Sequence, residues 1–559
     1  MFSIIAKTIK SYDQRDKLIS LFGIVLLLLM VVKITVFPYG LFNFGQPNIY
    51  TEGIVSEAGF QNINPLFIEY NEADREASRL VFSGLMKYDK EKRNIVDDLA
   101  TLSINEEKTE YTFTIRDGIF WHDDAPFTVD DVYFTYQDVI GSPAFQNEIL
   151  KANLSEVKIE KTDNRTIKFI LEKPNTFFIA NFTTGILPKH ILGNIPIEEI
   201  LVNEFNKKPI GTGPYRMEEP VQSYPDGRMQ VVLQQNKKYY GPISEIETVR
   251  LISYPTSAQL IAEDNVVNGI VKVTEEFIDQ VKENERFSLQ QYELPQYTAV
   301  FFNLESEALK DKQKVRLALQ KAIDKEDLMS NLPNKIAVDT PLMQLNQDEW
   351  LYQPNKTEAE GALKDSGYSY KAEDTDNTGY RYDSQGNALE FTLIARSYPD
   401  GTRQLQESTE VIKYLKESWE SIGVKINLEF LDQNTFKERI KNRSYDMLLV
   451  GQSLGYNLDT YSYWHSSQAS PLGQNLSNYK SFRVDSLIED IRSTLDSERQ
   501  NEKLLELAAQ IQQDIPAIFL YRPVYYYASD KKVGNLTMNG VVFASDRYSD
   551  ISNWKFTNR

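Results

Sequence analysis

Ser453 lies in Gly451-Gln452-Ser453-Leu454-Gly455, a G-x-S-x-G pattern directly after a β-like run, with Asp459 and His465 downstream in serine-hydrolase order. The spacing works against that chemistry. Asp459 and His465 stand only 6 and 12 residues beyond the serine, whereas a triad of this kind draws its acid and base from later strand ends. No histidine follows His465, so hydrolysis is not expected. Asp374-x-Asp376-x-Thr378-Gly379 begins like a calcium loop, but its fifth position is Thr378 and its twelfth is Gln385 where a bidentate Glu is needed. A surface loop leading into a strand at Leu389 is the expectation there. His122, beside Trp121, Asp123 and Asp124, has the makings of a metal site; a turn histidine ahead of Pro126 is expected instead. No metal and no cofactor is expected, and no G-x-x-x-x-G-K-[ST] phosphate loop occurs.

Composition narrows the classes further. The chain has 559 residues, enough for two to four ordinary domains, with 80 acidic and 61 basic side chains and a net charge of −19. A nucleic-acid partner is not expected, because phosphate binding needs a basic footprint. The absence of cysteine excludes disulfides, thiolate metal sites, cysteine nucleophiles and cysteine lipid anchors. Leu18–Phe37 (LISLFGIVLLLLMVVKITVF) carries a single charge, Lys33, and its twenty residues just span a ~30 Å hydrocarbon core. Lys7, Lys10, Arg15 and Lys17 outnumber Asp13 and Asp16 before it, which predicts residues 1–17 in the cytoplasm and the chain beyond a short linker, 38–47, outside. FPYGLFNFGQPN offers no small-x-small cleavage site, so an uncleaved anchor is expected.

The elements that would position functional groups outside the membrane read as mixed α/β. Short β-rich runs recur at Tyr111–Ile115, Thr166–Leu171, Met229–Leu233, Thr298–Phe302, Leu389–Ile394, Lys425–Phe430 and Tyr445–Val450. Between them, Lys312–Met329 puts Val315, Leu319, Ala322 and Ile323 on one helical stripe. Gln404–Ile422 does the same with Val411, Tyr414, Leu415 and Trp419, and Gly423 follows as a helix stop. Strand–helix–strand order over Leu389–Val450 predicts βαβ units and a mainly parallel sheet. Thr128 or Asp130 is placed to cap the helix near Val132, and Arg316 reads as a structural ion pair. Gly211-Thr212-Gly213-Pro214 is a turn able to bring backbone close to a neighbouring segment.

Several of these segments together resemble the extracytoplasmic solute-binding proteins of ABC importers, in the family of dipeptide- and oligopeptide-binding proteins (family 5). The carriers are Asn64-Pro65 with Asp74 and Gly84-Leu85…Tyr88-Asp89; YTFTIRDGIFWHDDAPFTVDDVYFTY over Tyr111–Tyr136; GTGPY over Gly211–Tyr215; FFNLESEALKDKQKVRLALQKAID over Phe302–Asp324; ALKDSGY over Ala362–Tyr368; and DIPAIFLY over Asp514–Tyr521. They run through nearly the whole exterior region in family order. The resemblance implies an α/β, two-lobed periplasmic-binding-protein-like fold (type II, large three-subdomain form) behind the single N-terminal transmembrane helix. It divides 48–559 into lobe I (about 48–75, 207–295 and 522–559), an extra subdomain (about 76–206) and lobe II (about 296–521), with crossings near Pro295–Tyr297 and Leu520–Pro523. It also implies a monomer without enzymatic activity that captures a peptide between its lobes and delivers it to ABC permease subunits driven by cytoplasmic ATPases. Sugar or another small solute, and a sensor or adhesion ectodomain without transport, are the alternatives.

For the ligand site, the resemblance points to the loops after the strands at Leu389–Ile394 and Tyr445–Val450. In the first, Arg396 and Arg403 are candidates for a carboxylate or phosphate clamp, with Tyr398 beside them. In the second, Tyr456, Tyr461, Tyr463 and Trp464 could stack on a ligand. Peptide-binding relatives hold the α-amino group with an aspartate at the position matched here by Gly455; Asp459, four residues on, could substitute only if the loop is rearranged.

Overall fold

In the computed structural model, the described residues are 48–557 except 69, 70, 155, 375, 377, 378, 399–401, 457 and 472, together with Asp13. The expected anchor Leu18–Phe37, the linker 38–47 and the rest of 1–17 lie outside them. Among the described residues no helix is long and apolar enough to cross a membrane. Ile49–Arg559 forms one compact unit.

That unit is built on strands buried from both faces. β1 (Ile49–Val55) is buried at its five central positions, as a strand sandwiched between layers must be. It runs parallel to β4 (Thr248–Tyr254), from Ile49 opposite Thr248 to Val55 opposite Tyr254, and to β5 (Gly269–Val271) on its other side. β2 (Tyr215–Met217), β3 (Met229–Gln235) and β6 (Phe287–Glu293) complete a first half. The second half holds β7 (Gln296–Phe302), β8 (Glu390–Arg396), β9 (Lys425–Leu431) and β10 (Met447–Ser453), with β8 parallel to both β9 and β10. β11 (Ala517–Asp530) belongs to both halves. Its first residues pair with β7 and its last with β6 and β5. The chain therefore crosses between two α/β lobes twice: at Leu294–Pro295, between β6 and β7, and within β11 around Arg522–Pro523. Each lobe has its own cores, one set around Tyr50, Leu251 and Trp554, the other around Val300, Trp419 and Phe519. A separate four-stranded antiparallel sheet, Ala100–Ile104, Glu110–Ile115, Val157–Lys161 and Thr166–Leu171, packs onto the first lobe.

Local sequence accounts for the helices. α1 (Glu72–Val81) starts where the Asn71 side chain accepts from the amides of Ala73 and Asp74. The Lys312–Met329 stripe is two helices, not one. α2 (Gln313–Lys321) ends, and the carboxylate of Asp324 caps a new helix over Lys325–Ser330 by accepting from Glu326 and Asp327. α3 (Arg403–Glu420) buries Val411, Leu415 and Trp419, and Gly423 stops it at φ +83°. α4 (Phe482–Ser493) and α5 (Ser497–Asp514) cover the second lobe. Arg316 corrects the ion-pair expectation. Its guanidinium donates to the carbonyls of Asp514 (2.8 Å), Ile515 (2.9 Å) and Leu309 (3.3 Å), closing the C-terminus of α5 where carbonyls lack helical partners.

Candidate functional site

Candidate ligand groups follow the C-terminal ends of parallel strands, where open α/β sheets place ligand groups because side chains there converge without blocking the sheet. β8 ends on Arg396 and leads to Tyr398. β10 ends on Ser453 and leads to the loop 454–460. β5 ends on Val271 and leads to Lys272, whose backbone is left-handed at φ +53°.

At the crossings the side chains form a chain of polar contacts. Tyr521 donates to Glu407 (2.9 Å), which also pairs with Lys335 (3.1 Å). Gln296 donates to the Tyr525 hydroxyl. Lys272 pairs with Glu72 at 2.7 Å and lies 4.6 Å over the Tyr525 ring. Burial pulls the Lys272 ammonium down, but Glu72 and Tyr525 more than reverse it, so its pKa stands above the ordinary value. The hydroxyl of Tyr292, whose ring lies tilted 5.6 Å from that of Tyr525, is buried without a hydrogen-bond partner among the described residues.

The sequence-selected residues separate into four groups. Arg396 and Tyr398 come together, the guanidinium 4.8 Å over the phenol ring. Arg396 donates to the neutral Gln433 side chain at 3.2 Å, its Nε has no partner, and no carboxylate among the described residues pairs with it. Burial pushes the Tyr398 phenol up, opposed by Arg396. Arg403 is the first residue of α3, and its side chain lies outside the described residues. Tyr456 and Asp459 are spent on protein contacts. Tyr456 donates to Asp546 at 2.6 Å, and Asp459 pairs with Arg492 at 3.0 Å while accepting from the Tyr461 amide. Trp464 is 1% exposed, packed between Phe301 and Phe519 in the core of the second lobe, and so does not reach the gap. Gly455 is left-handed at φ +72°, a backbone in which an aspartate would be strained.

The three chemical motifs resolve into structure. Ser453 has no contact with His465: its carbonyl accepts from Tyr463, while His465 stacks on Tyr461 and meets Ser467. The Asp374 carboxylate accepts from the Gly379 amide, and Thr375, Asn377 and Thr378 lie outside the described residues. His122 braces the glycine turn. Gly211 donates its amide to Nδ1 (3.2 Å) and Nε2 meets the Gly213 carbonyl (3.0 Å), with burial pushing the imidazole from 6.5 down to about 4. That turn needs glycine: a Cβ at Gly211 would stand 1.9 Å from the Val81 carbonyl oxygen.

Lys272, Glu72, Glu407, Lys335 and Tyr525 were not legible as a group in the sequence. Only the Tyr525 position, two residues past Pro523 at a crossing, carried a signal. The others lie on segments far apart in sequence, Lys272 after β5, Glu72 in α1, Lys335 on a strand beside β11 and Glu407 in α3.

Two α/β lobes joined by paired strand crossings, with ionisable and aromatic side chains at the strand ends between them, define a ligand-capture protein of the periplasmic-binding type. Residues 94–474 match the model of the bacterial extracellular solute-binding proteins, family 5 (middle region), and the chain belongs to that family. It is a solute-binding component, not an enzyme. The oligopeptide-binding protein AppA of Bacillus subtilis is 29% identical over 86% of this chain and 87% of its own length. The dipeptide-binding protein of Escherichia coli is 22% identical over 86% and 90%. Among solved structures, that of B. subtilis AppA in complex with a nonapeptide superposes with a TM-score of 0.74 at 24% identity, covering 92% of this chain and all (100%) of its own. NikZ from Campylobacter jejuni in complex with Ni(L-His) gives 0.73 at 24% identity, over 91% and 99%.

Proposed function

We propose that this protein captures peptides between its lobes and delivers them to an ABC permease while anchored to the outer side of the membrane by Leu18–Phe37. Peptide-binding relatives matching over 80% of both chains support the ligand class. NikZ with its nickel–histidine complex shows that the fold alone does not choose the ligand. The observation that carries the choice is Arg396, a guanidinium at a strand end whose Nε has no hydrogen-bond partner and which pairs with no carboxylate among the described residues, held over Tyr398. Such a group suits a carboxylate, and a neutral sugar would leave it uncompensated in a closing cleft. The reading places lobe I at about 48–75, 207–295 and 522–559, the extra subdomain at about 76–206 and lobe II at about 296–521.

Calorimetry with peptides identified by mass spectrometry from the purified chain tests it. Arg396→Ala should cost ~2–5 kcal/mol of affinity if the guanidinium meets a desolvated carboxylate, or about 30-fold and more. A change below ~1 kcal/mol would leave Arg396 a solvated loop charge. Recovery of a sugar and no peptide would overturn the peptide reading itself.

A further inference from the structure

The loop after β10 is expected from its position to receive ligand, yet its side chains reach across to the other lobe. Tyr456 inserts into a recess lined by the first lobe and by the subdomain packed on it. Its hydroxyl donates to Asp546 at 2.6 Å, its ring stacks on Tyr88 with centroids 4.9 Å apart, and Phe543 meets it edge-on at 5.0 Å. The recess is braced by contacts of its own. Asp546 accepts from the amides of Val542 and Phe543 and lies 3.7 Å from Arg79, while Tyr88 donates to the Gly540 carbonyl. Gly455, left-handed and with its missing Cβ 3.8 Å from Phe543, permits the turn that projects Tyr456 outward. The same loop fastens a second point. Asp459 holds Arg492 at the end of α4, and the Arg492 carbonyl accepts from the amide of Thr176, which follows the separate four-stranded sheet. Every oxygen of Asp459 and Asp546 is thus engaged within the protein, including the backbone amide of Tyr461 at Asp459.

We propose that Tyr456 is an interlobe latch, a residue of the second lobe that fills a socket made by Phe543 and Asp546 of the first lobe and Tyr88 of the subdomain packed on it, and holds the lobes closed without ligand. The latch sets the closed-to-open ratio, and ligand affinity follows through that ratio because a ligand binding the closed state draws on its population. It acts as a positioning residue, its hydroxyl given to Asp546, so the proposal stands apart from what the ligand is.

The chain has no cysteine, so two can be introduced as unique spin-label sites in the full-length protein. Val202, in the subdomain packed on the first lobe, and Phe482, at the start of α4 in the second, are 77% and 88% exposed, so Val202→Cys and Phe482→Cys carry the labels. Pulsed dipolar spectroscopy on chains freed of ligand, as verified by mass spectrometry, should give a single short interlobe distance for the parent. Tyr456→Ala should add or switch to a longer one. Tyr456→Phe keeps the ring and loses only the hydroxyl, which shifts the ratio by about 10-fold to 100-fold for a bond to a charged acceptor; a longer distance in the alanine variant alone assigns the latch to the ring. Circular dichroism of both variants checks that the lobes remain folded. A parent already open without ligand, or a distance unchanged in folded Tyr456→Ala, overturns the proposal.

Discussion

The imidazole of His122 shows how a residue chosen for its chemistry can be given to the backbone instead. Nδ1 accepts from Gly211 and Nε2 faces the Gly213 carbonyl, an arrangement complete only in the neutral ring. Burial pushes its pKa from 6.5 to about 4. The folded state therefore binds a proton less readily than the unfolded chain. The stability contributed by the neutral ring is fully present above about pH 6.5 and is lost as pH falls toward 4, by up to about 3 kcal/mol. Urea midpoints measured from pH 7 to 4.5 for the parent and for His122→Asn should converge as pH drops; parallel curves would show that His122 carries no such linkage. Buried carboxylates such as Asp74 and Asp339, each raised to about 6, titrate alike in both proteins and cancel in the comparison.

At the scale of elements, a buried charge triad joins three segments distant in sequence. Arg547, in the 3₁₀ segment Ala544–Asn553, donates to Glu52 of β1 (3.0 Å) and to Glu76 of α1 (3.0 Å), and all three side chains are fully buried. Tyr50 and Tyr527 also donate to Glu52, at 2.8 and 3.0 Å. Gly269 of β5 leaves room for the cluster, since a Cβ there would lie 2.2 Å from both hydroxyls. Removing one member strands the others in low dielectric. Arg547→Met should destabilise the fold by ~3–5 kcal/mol in urea unfolding, while Glu52→Gln, Glu76→Gln and Arg547→Met combined should recover most of that loss. A single variant as stable as the parent would mean that the carboxylates are already neutral. Burial raises the Glu76 carboxyl above its ordinary value, and Arg547 opposes that rise.

For the whole molecule, two crossings a short distance apart give a bending axis, because two connected strands resist twisting and sliding but allow hinging. β11 carries one crossing without a break and Pro295 marks the other. Pro523 sits inside β11 where pairing changes from β7 to β6, a site where a missing amide is tolerated. The proposed anchor places this hinged unit at the membrane. The full chain should remain in the membrane fraction after a carbonate wash and begin at or near Met1; a mature amino terminus beyond residue 37 would refute the anchor.

Much of this molecule was written locally. β-rich runs over Thr166–Leu171 and Lys425–Phe430, the Val411–Leu415–Trp419 stripe and the Gly423 stop depend on neighbours a few residues away, so period and propensity suffice to read them. So does the Thr128 cap, where Asp131 answers with its own carboxylate. The ordered family motifs were legible for the same reason: each is a short stretch with its own turn or strand. What tertiary structure alone decided is which lone charge meets which. Asp459 looked available for a ligand and is held by Arg492; Trp464 looked like a stacking surface and is core; Arg316 sought a carboxylate and found two carbonyls at the end of α5. These outcomes depend on partners 33 to roughly 200 residues away, brought together by sheet order and lobe closure, and no local spacing encodes them.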